Sequence, residues 1–193
     1  MNRVAEHLKA QIQYRILPIT LQLNTHENLL VKPRIKECVS AMDALRRRCV
    51  GGVFDRDLPD TYTLLSLRDL VGVRVLAFPS KRAVEVDALL REQFHDWTSD
   101  PIIDKETGKQ LAFKYYGRCV EAGENVQCEY QIVSMLTGLF WEVEHAAIYK
   151  PAPNLKGIAS SLVMQKCTSD VYRALMAFET EFERQIQDAE IIG

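Results

Sequence analysis

The segment Leu67-Arg68-Asp69-Leu70-Val71-Gly72-Val73-Arg74-Val75 decides the fold class of this chain. From Val71 to Phe78 the residues are β-branched and almost continuously apolar, which is typical of a strand buried on both faces. An acid stands just before this run and an arginine lies inside it. A charged side chain in a buried strand needs a partner or a ligand, because burial of an isolated charge is costly. The segment therefore predicts a central strand that carries chemistry near its start.

A β-hairpin is predicted further along the chain, and helices are predicted around the strands. Residues 112–121 and 126–133 have strand-like composition and are joined by Ala122-Gly123-Glu124-Asn125. The predicted helices are 3–24 with a kink or end at Pro18, Pro33–Arg48, Ser80–Phe94, Met135–Tyr149 and 156–190. The apolar stripes expected to be buried are Val4, Leu8, Ile12, Ile16 and Ile19 in the first helix, Ile35, Val39, Met42 and Leu45 in the second, and Val171, Leu175, Phe178, Phe182 and Ile186 in the last. The sum is an α+β fold, a single mixed β-sheet flanked by helices, in one domain over 1–193 with its core at 31–150.

Composition and charge exclude several classes of protein. The chain has 193 residues, of which 47% are hydrophobic and 26% charged, and this suits one globular core. A formal net charge of −2 argues against a broad surface for coating nucleic acid. Charges interrupt every apolar run, so we expect neither a membrane span nor a membrane partner. Five cysteines without a C-x-x-C pair, and no apolar leader, predict reduced thiols in a cytoplasmic protein.

Two acids are candidates for metal binding. Asp69 precedes the predicted central strand, and Glu129 lies inside a hairpin strand. Mg²⁺ in proteins is typically held by one or two carboxylates together with substrate phosphates, so acids on neighbouring strands could share one ion. The alternative is that each acid forms a salt bridge or faces solvent. For Arg74, likewise, an ion pair with Asp69 is an alternative to ligand binding.

Cationic and aromatic side chains cluster around the same segments. Guanidinium groups bind phosphate in a forked geometry and stack on nucleobases, so Arg34, Lys36 and Arg74 suit a nucleotide polyphosphate. Cations also accompany tyrosines along the first hairpin strand, a combination that suits a purine and its phosphates but also any half-exposed strand. The run Arg46–Arg48 equally describes a solvated helix face. The sequence has no glycine-rich phosphate loop of the P-loop or Rossmann type.

The order of these motifs resembles the RelA/SpoT-type synthetase domain, and the length of the chain resembles the small, single-domain alarmone synthetases of that family. The motifs that carry the resemblance are Arg34-Ile35-Lys36, Ser40, Asp69-Leu70-Val71-Gly72-Val73-Arg74-Val75, Glu129-Tyr130-Gln131-Ile132, Trp141-Glu142-Val143-Glu144-His145 and Tyr149-Lys150. The resemblance implies a synthetase fold without a hydrolase domain.

The resemblance also implies a reaction. The β,γ-pyrophosphate of ATP would pass to the ribose 3′-hydroxyl of GDP or GTP, giving (p)ppGpp and AMP. Asp69 and Glu129 would hold Mg²⁺, and Glu129 would help to deprotonate the hydroxyl. The residues implied on the ATP side are Arg34, Lys36, Ser40, Arg46 and Arg74, of which the first and last would sandwich the adenine. The residues implied on the acceptor side are Tyr115, Lys114, Arg118, Gln131 and His145, of which the tyrosine would stack on the base.

Departures from the family's pattern leave the acceptor open. Family members usually carry G-Y-x-S-x-H where this chain has Lys114-Tyr115-Tyr116-Gly117-Arg118-Cys119, and Ala44 stands where a lysine is common. Three functions follow: an alarmone synthetase with a divergent acceptor pocket, a toxin-like relative acting on an adenine nucleotide or the 3′ end of tRNA, and a non-catalytic nucleotide-binding module. Two costly carboxylates favour an enzyme over a binding module. The long last helix is expected to support a homo-oligomer or to cover the sheet.

Overall fold

A mixed β-sheet forms the centre of the structure, a computed structural model that describes residues 1–51, 63–104, 108–121, 123–149 and 156–192. The strands are β1 (Asn28–Ile35), β2 (Val71–Phe78), β3 (Thr98–Ser99), β4 (Ile102–Ile103), β5 (Gln110–Glu121) and β6 (Glu124–Ser134). These six strands are ordered β1-β2-β6-β5-β3, and β4 pairs with β5. The predicted α+β class with a mixed sheet is confirmed.

The two strands predicted to matter most lie side by side at the centre of the sheet. β2 has the predicted bounds and pairs in parallel with β6, so that Gly72 is level with Glu129. β2 also pairs antiparallel with the edge strand β1. β5 and β6 form the predicted hairpin. Its turn contains Gly123 at a φ of 82°, a backbone conformation that glycine adopts without steric cost. Ala122, in the predicted turn, lies outside the described residues.

Helices cover the sheet on both faces. They are α1 (Asn2–Arg15), α2 (Leu17–Thr20), α3 (Cys38–Val50), α4 (Lys81–Gln93), α5 (Met135–Glu144), α6 (Lys156–Ala159) and α7 (Leu162–Ile192). A 3₁₀ turn at Leu64–Ser66 precedes β2, and a π-helical turn at His145–Tyr149 follows α5. Pro18 lies in the first turn of α2, after α1 has ended, as the predicted break requires.

One face of the sheet packs against α1 and α4, and we call it the core face. All five residues of the predicted stripe in the first helix are buried against it. From the sheet, alternate residues of β2 and β6 contribute Val73, Tyr130 and Ile132. Trp97 lies flat over Gly117 of β5, where a Cβ atom would come within 2.3 Å of the indole ring. A side chain at that position would displace the indole, so glycine is required there.

Among the described residues, a helix covers the opposite face towards the C-terminal ends of β2 and β6. There α5 packs over Leu76, Ala112 and Val133, with Trp141 against the cluster. α7 in turn packs on α5. A carboxylate of α7, Glu183, accepts hydrogen bonds at 2.7 Å from Ser80 Oγ and from the backbone N–H of Lys81. The N-terminus of α4 is therefore capped from a distant part of the chain rather than by Ser80 itself.

The prediction of a helix from Pro33 is wrong. Pro33 lies in β1, and the helix begins only at Cys38. Proline lacks a backbone N–H and is tolerated on an edge strand such as β1, so its presence fits a strand here as well as a first helical turn. The stripe predicted for this helix is wrong in part, because Val39 is 72% exposed and Met42 is 56% exposed. Leu45 is buried as predicted, and Ala41 is buried beside it.

The last helix is present but only partly covered. Tyr172, Leu175 and Phe182 are half-buried, whereas Val171 and Phe178 of the predicted stripe are exposed. Among the helices that the structure describes, none is long and apolar enough to cross a membrane. The five cysteines are free thiols, and Cys119 and Cys128 are buried.

Candidate functional site

Strand alternation places the chemically loaded residues on the face opposite the core, which we call the Glu129 face. Level residues in paired strands point to the same side of a sheet, and residues two apart share a face. The strand pairing gives two adjacent rows across the sheet. The first row is Arg34, Gly72, Glu129 and Tyr116, and the second is Lys32, Arg74, Gln131 and Lys114. Predicted donor-side and acceptor-side residues therefore meet on one surface.

Glu129 lies at the centre of the first row and is only 7% exposed. Its side chain crosses Gly72 of β2, where a Cβ atom would come within 3.2 Å of Glu129 Cγ. The glycine thus leaves room for the carboxylate to lie over the neighbouring strand. Burial, and secondarily the negative charge of Asp69, raises the pKa of Glu129. A buried carboxylate whose pKa is raised in this way is well suited to receive a proton or a cation.

Asp69 stands just before β2 and close enough to Glu129 for their charges to interact. Its carboxylate forms an ion pair with Lys36 Nζ. The described residues contain no group of three or more His, Cys, Asp or Glu that could hold a metal. The two acids alone match the one or two carboxylates of a Mg²⁺ site whose remaining ligands are phosphate oxygens and water. A cation between them would also relieve the repulsion that raises the pKa of Glu129.

Gln131 links Arg74 to Glu129. The Nε and Nη2 atoms of Arg74 donate to Gln131 Oε1 at 3.2 and 3.1 Å, and Gln131 Nε2 donates to Glu129 Oε1 at 2.9 Å. Gln131 is itself 9% exposed, so its amide is held in one orientation. Burial and then the positive charge of Arg34, on the adjacent strand, lower the pKa of Arg74. The ion pair between Arg74 and Asp69 that remained an alternative does not form, because Asp69 pairs with Lys36.

The prediction that Tyr115 stacks on an acceptor base is wrong. Tyr115 belongs to the core face, is 6% exposed and donates its hydroxyl hydrogen bond to Asp87 Oδ1 at 2.7 Å. Its ring stacks on that of Tyr130 at a centroid distance of 4.8 Å. The neighbouring residue, Tyr116, is the tyrosine level with Glu129. Burial, and secondarily the charge of Glu129, raises the pKa of Tyr116, as expected for a ring beside that carboxylate.

The other acceptor-side residues are distributed unevenly. Lys114 is on the Glu129 face, pairs with Asp100 Oδ2 at 2.8 Å, and lies 5.2 Å from the centroid of the Tyr116 ring. Arg118 is exposed on the same face, one row beyond Tyr116 and level with Gln127. Gln131, expected on the acceptor side, instead contacts the donor-side Arg74. His145 is exposed at the start of the π-helical turn.

The remaining donor-side residues lie on or next to α3. Arg34 is exposed near the end of β1, and Lys36 follows that strand. Ser40 lies in the first turn of α3, and Arg46 is exposed further along that helix. Lys150 of the last motif lies outside the described residues.

Several residues of the site were not predicted from the sequence. Glu142 of α5 pairs with Lys32 Nζ at 3.0 Å and approaches Arg74 Nη1 at 3.9 Å. Asp100, on the connection between β3 and β4, pairs with Lys114. Glu142 lies inside the motif from Trp141 to His145, but no local pattern specifies its pairing with Lys32, and none specifies the pairing of Asp100 with Lys114. Tyr116, however, could have been found by counting alternate residues back from the hairpin turn to the position level with Glu129.

Comparison with solved structures identifies the fold. The small alarmone synthetase 1 from Bacillus subtilis bound to its product pppGpp superimposes with a TM-score of 0.70 at 16% sequence identity, over 98% of this chain and 94% of that one. The chain has the fold of the small alarmone synthetases. The same synthetase bound to AMPCPP matches with a TM-score of 0.67 at 14% identity, over 98% and 93% of the two chains.

A GTP pyrophosphokinase family protein from Streptococcus pneumoniae has the same small alarmone synthetase fold. It matches with a TM-score of 0.70 at 17% identity, over 99% of this chain and 93% of that one. No protein-family model and no curated protein sequence matches the chain. The resemblance inferred from the motifs is therefore confirmed for the fold, across almost the whole chain.

Proposed function

We propose that this chain transfers the β,γ-pyrophosphate of ATP to the ribose 3′-hydroxyl of GDP or GTP, giving (p)ppGpp and AMP. The observation that carries the proposal is the assembly of Arg34, Arg74, Asp69 and Glu129 around one end of the Glu129 face. Pyrophosphate transfer depends mainly on positioning and on neutralising charge, and this surface combines acids, cations and a tyrosine. Structures with this fold hold AMPCPP and pppGpp, which is consistent with the proposed donor and product.

On the donor side, the two arginines would bind the adenine of ATP. Arg34 and Arg74 lie on adjacent strands, two residues apart in register, and their charges interact. Two planar guanidinium groups at that spacing suit a base stacked between them. Lys36 would leave its ion pair with Asp69 and bind the phosphates instead. Ser40 and Arg46 lie nearby on α3. The hydrogen bonds from Arg74 to Gln131 would hold the inner guanidinium in place.

At the reacting centre, Glu129 would accept the proton of the 3′-hydroxyl. The hydroxyl oxygen then forms a bond to the β-phosphorus, the bond from that phosphorus to the bridging oxygen of the α-phosphate breaks, and AMP leaves. Asp69 and Glu129 would hold Mg²⁺, which when bound neutralises phosphate charge and aligns the two oxygens. Gln131 would keep the Glu129 carboxylate directed at the hydroxyl through its 2.9 Å hydrogen bond.

On the acceptor side, Tyr116 takes the place that the motif assigned to Tyr115. Its ring is half-buried beside Glu129, so a stacked purine would bring its ribose towards the carboxylate. Lys114 and Arg118 flank that ring on the same face and would meet the acceptor's phosphates. Gln131 and His145 are the remaining residues that the sequence predicted on the acceptor side. The proposal also includes a cytoplasmic location for the protein and a homo-oligomer formed through the exposed apolar residues of α7.

The test is AMP release from ATP and Mg²⁺ with GDP, GTP, ADP, ATP or deacylated tRNA offered separately. We expect AMP release that depends on the acceptor, with GDP or GTP the best. The variant Glu129→Gln should lose activity by a factor of about 10³ or more. The matched variant Glu121→Gln changes a carboxylate of β5 that pairs with His7 at 3.1 Å, and it should retain activity.

Three results would contradict the proposal. Preference for tRNA or an adenine nucleotide would favour the toxin-like reaction. No AMP with any acceptor, from a folded protein, would favour a non-catalytic binding module. Full activity of Glu129→Gln would remove Glu129 from the reaction.

A further inference from the structure

A cavity separate from the two rows of the Glu129 face lies between α5, the π-helical turn and α7, beside the start of β5. Its volume is about 390 Å³, which is within the range of small-molecule sites. None of the residues that line it belongs to those rows. The proposed pyrophosphate transfer therefore makes no use of it.

The walls of the cavity are aromatic on one side and polar on the other. Phe140 and Trp141 come from α5, and Tyr172 comes from α7. Glu144 and Gln165 supply polar groups from the two helices. A flat apolar body could lie against the aromatic rings while a polar group reaches the carboxylate, which is the usual division in small-molecule sites.

Tyr172 lines this cavity, and its hydroxyl is unusual. The hydroxyl is shielded from solvent and has no hydrogen-bond partner among the residues that the structure describes. Within the described part of the chain only one other buried side-chain polar atom shares that state, the hydroxyl of Tyr130. Buried polar groups are nearly always paired, so an unpaired one calls for an explanation. A ligand that hydrogen-bonds to the Tyr172 hydroxyl would supply the missing partner.

The electrostatics of the cavity select the charge of that ligand. Burial raises the pKa of Tyr172 to about 12, and the negative charges of Asp104, Glu144 and Glu179 act in the same direction. No lysine or arginine is among the lining residues that the structure describes. Phosphates and carboxylates are disfavoured by this negative field, whereas a protonated amine is attracted by it.

We propose that the cavity between α5 and α7 binds an arylalkylamine, a small molecule with a planar aromatic body and a protonated amine. The aromatic body packs between Trp141 and Tyr172. The amine donates hydrogen bonds to the Glu144 carboxylate and to the Tyr172 hydroxyl oxygen. The site lies close to the donor residues, since Glu142 on the same helix pairs with Lys32 and approaches Arg74. The binding itself, however, does not depend on the proposed reaction.

The test uses 2-phenylethylamine as probe and the full-length, ¹⁵N-labelled protein. The chain has 2 tryptophans, so its NMR spectrum shows one indole N–H signal for each. We expect 2-phenylethylamine to shift the Trp141 signal with a Kd of about 1 mM or lower and to leave the Trp97 signal in place. The anionic analogue 3-phenylpropionate should leave both signals unshifted at the same concentrations.

Variants distinguish specific binding in the cavity from nonspecific binding. Glu144→Gln should raise the Kd for 2-phenylethylamine by about fivefold or more, because the charge pairing is lost. Tyr172→Phe should also raise the Kd while leaving the melting temperature equal or higher, because the lost hydroxyl has no partner in the free protein. Asp188→Asn is the control, since Asp188 is an exposed carboxylate of α7 that pairs with Arg184.

Each contrary result overturns the proposal. Equal shifts with 3-phenylpropionate would show that charge does not select the ligand. The Kd could also stay unchanged in both Glu144→Gln and Tyr172→Phe while the Trp97 signal shows a native fold. The amine would then not bind to Glu144 or Tyr172.

Discussion

The two faces of the central sheet are made by alternate residues of the same strands, yet they differ in almost every physical respect. On the core face, Tyr115 and Tyr130 stack beneath α4 and are almost completely buried. On the Glu129 face, their immediate neighbours Tyr116 and Glu129 lie among cations and acids at the open end of the sheet. The same strand therefore serves stability with one residue and chemistry with the next. An error of one position in assigning a motif moves the residue to the other face.

The largest expected effect separates the two neighbouring tyrosines. Tyr115→Ala should lower the free energy of unfolding by about 3 kcal/mol or more, because it empties a core position and leaves Asp87 without its donor. Tyr116→Ala should cost less than about 1 kcal/mol but raise the acceptor KM by about tenfold, through the loss of base stacking. Urea unfolding and AMP-release kinetics measure the two effects. The assignment of the two tyrosines is contradicted if Tyr115→Ala leaves the free energy of unfolding unchanged and raises the acceptor KM.

Gln131 tests whether the Glu129 face works as a connected unit. Gln131→Leu should lower kcat by about 10- to 100-fold, since Glu129 and Arg74 each lose the group that orients them. Gln127→Leu, on the same strand and face but level with Arg118, is the control and should retain most of the activity. The readout is AMP release at saturating ATP and GDP. Equal losses in the two variants would mean that the hydrogen bonds to Gln131 have no special role.

Glu179 extends the comparison to the covered end of the same side of the sheet. It is a buried carboxylate of α7 that accepts a hydrogen bond from Ser134, and burial raises its pKa above the ordinary value of 4.5. Between the ordinary pKa and the raised pKa of Glu179, the folded protein binds more protons than the unfolded chain. Glu179 therefore makes the free energy of unfolding fall as pH rises through that range.

Glu179→Gln should remove that fall and raise the free energy of unfolding at pH 7 by about 1 kcal/mol. Urea unfolding from pH 4 to pH 8 measures it. A variant whose stability falls with pH as steeply as that of the wild type would contradict the assignment.

The smallest expected effect concerns the remote helix cap. Glu183→Gln weakens two hydrogen bonds at the N-terminus of α4 and removes a favourable charge there, which should cost about 1 kcal/mol. Thermal unfolding measures the loss. Asp188→Asn on the same helix serves as the control, because the exposed carboxylate of Asp188 forms its ion pair with Arg184 of the same helix. A loss of the same size in both variants would mean that the cap contributes nothing specific.

The sequence predicted those features that depend on neighbouring residues. The apolar run from Val71 to Phe78 predicts β2 at its observed bounds, and the five-residue stripe of the first helix is entirely buried. The start of the second helix could not be predicted, because Pro33 suits a first helical turn as well as an edge strand. The structure pairs the strand that follows Asp69 with the strand that contains Glu129, whereas the binding of Mg²⁺ by the two acids stays a prediction.

The rest of the site depends on contacts across the chain. Glu142 reaches Lys32 and Asp100 reaches Lys114, and no local pattern specifies either pair. Tyr115 and Tyr116 are chemically the same, so only the register of the hairpin decides which of them faces Glu129. Motif matching predicts the neighbourhood of the proposed acceptor site, and strand alternation shows that Tyr116 is the tyrosine level with Glu129.

The most direct test of the two-face account is photoaffinity labelling with 8-azido-ATP, followed by mass spectrometry of the labelled peptides. The azide on the adenine inserts into whatever lies beside the base. We expect the label on β1 or β2, near Arg34 and Arg74, and we expect unlabelled ATP with Mg²⁺ to compete for it. Competed labelling on α4 or β3, beside Tyr115, would place the nucleotide on the core side and contradict the account.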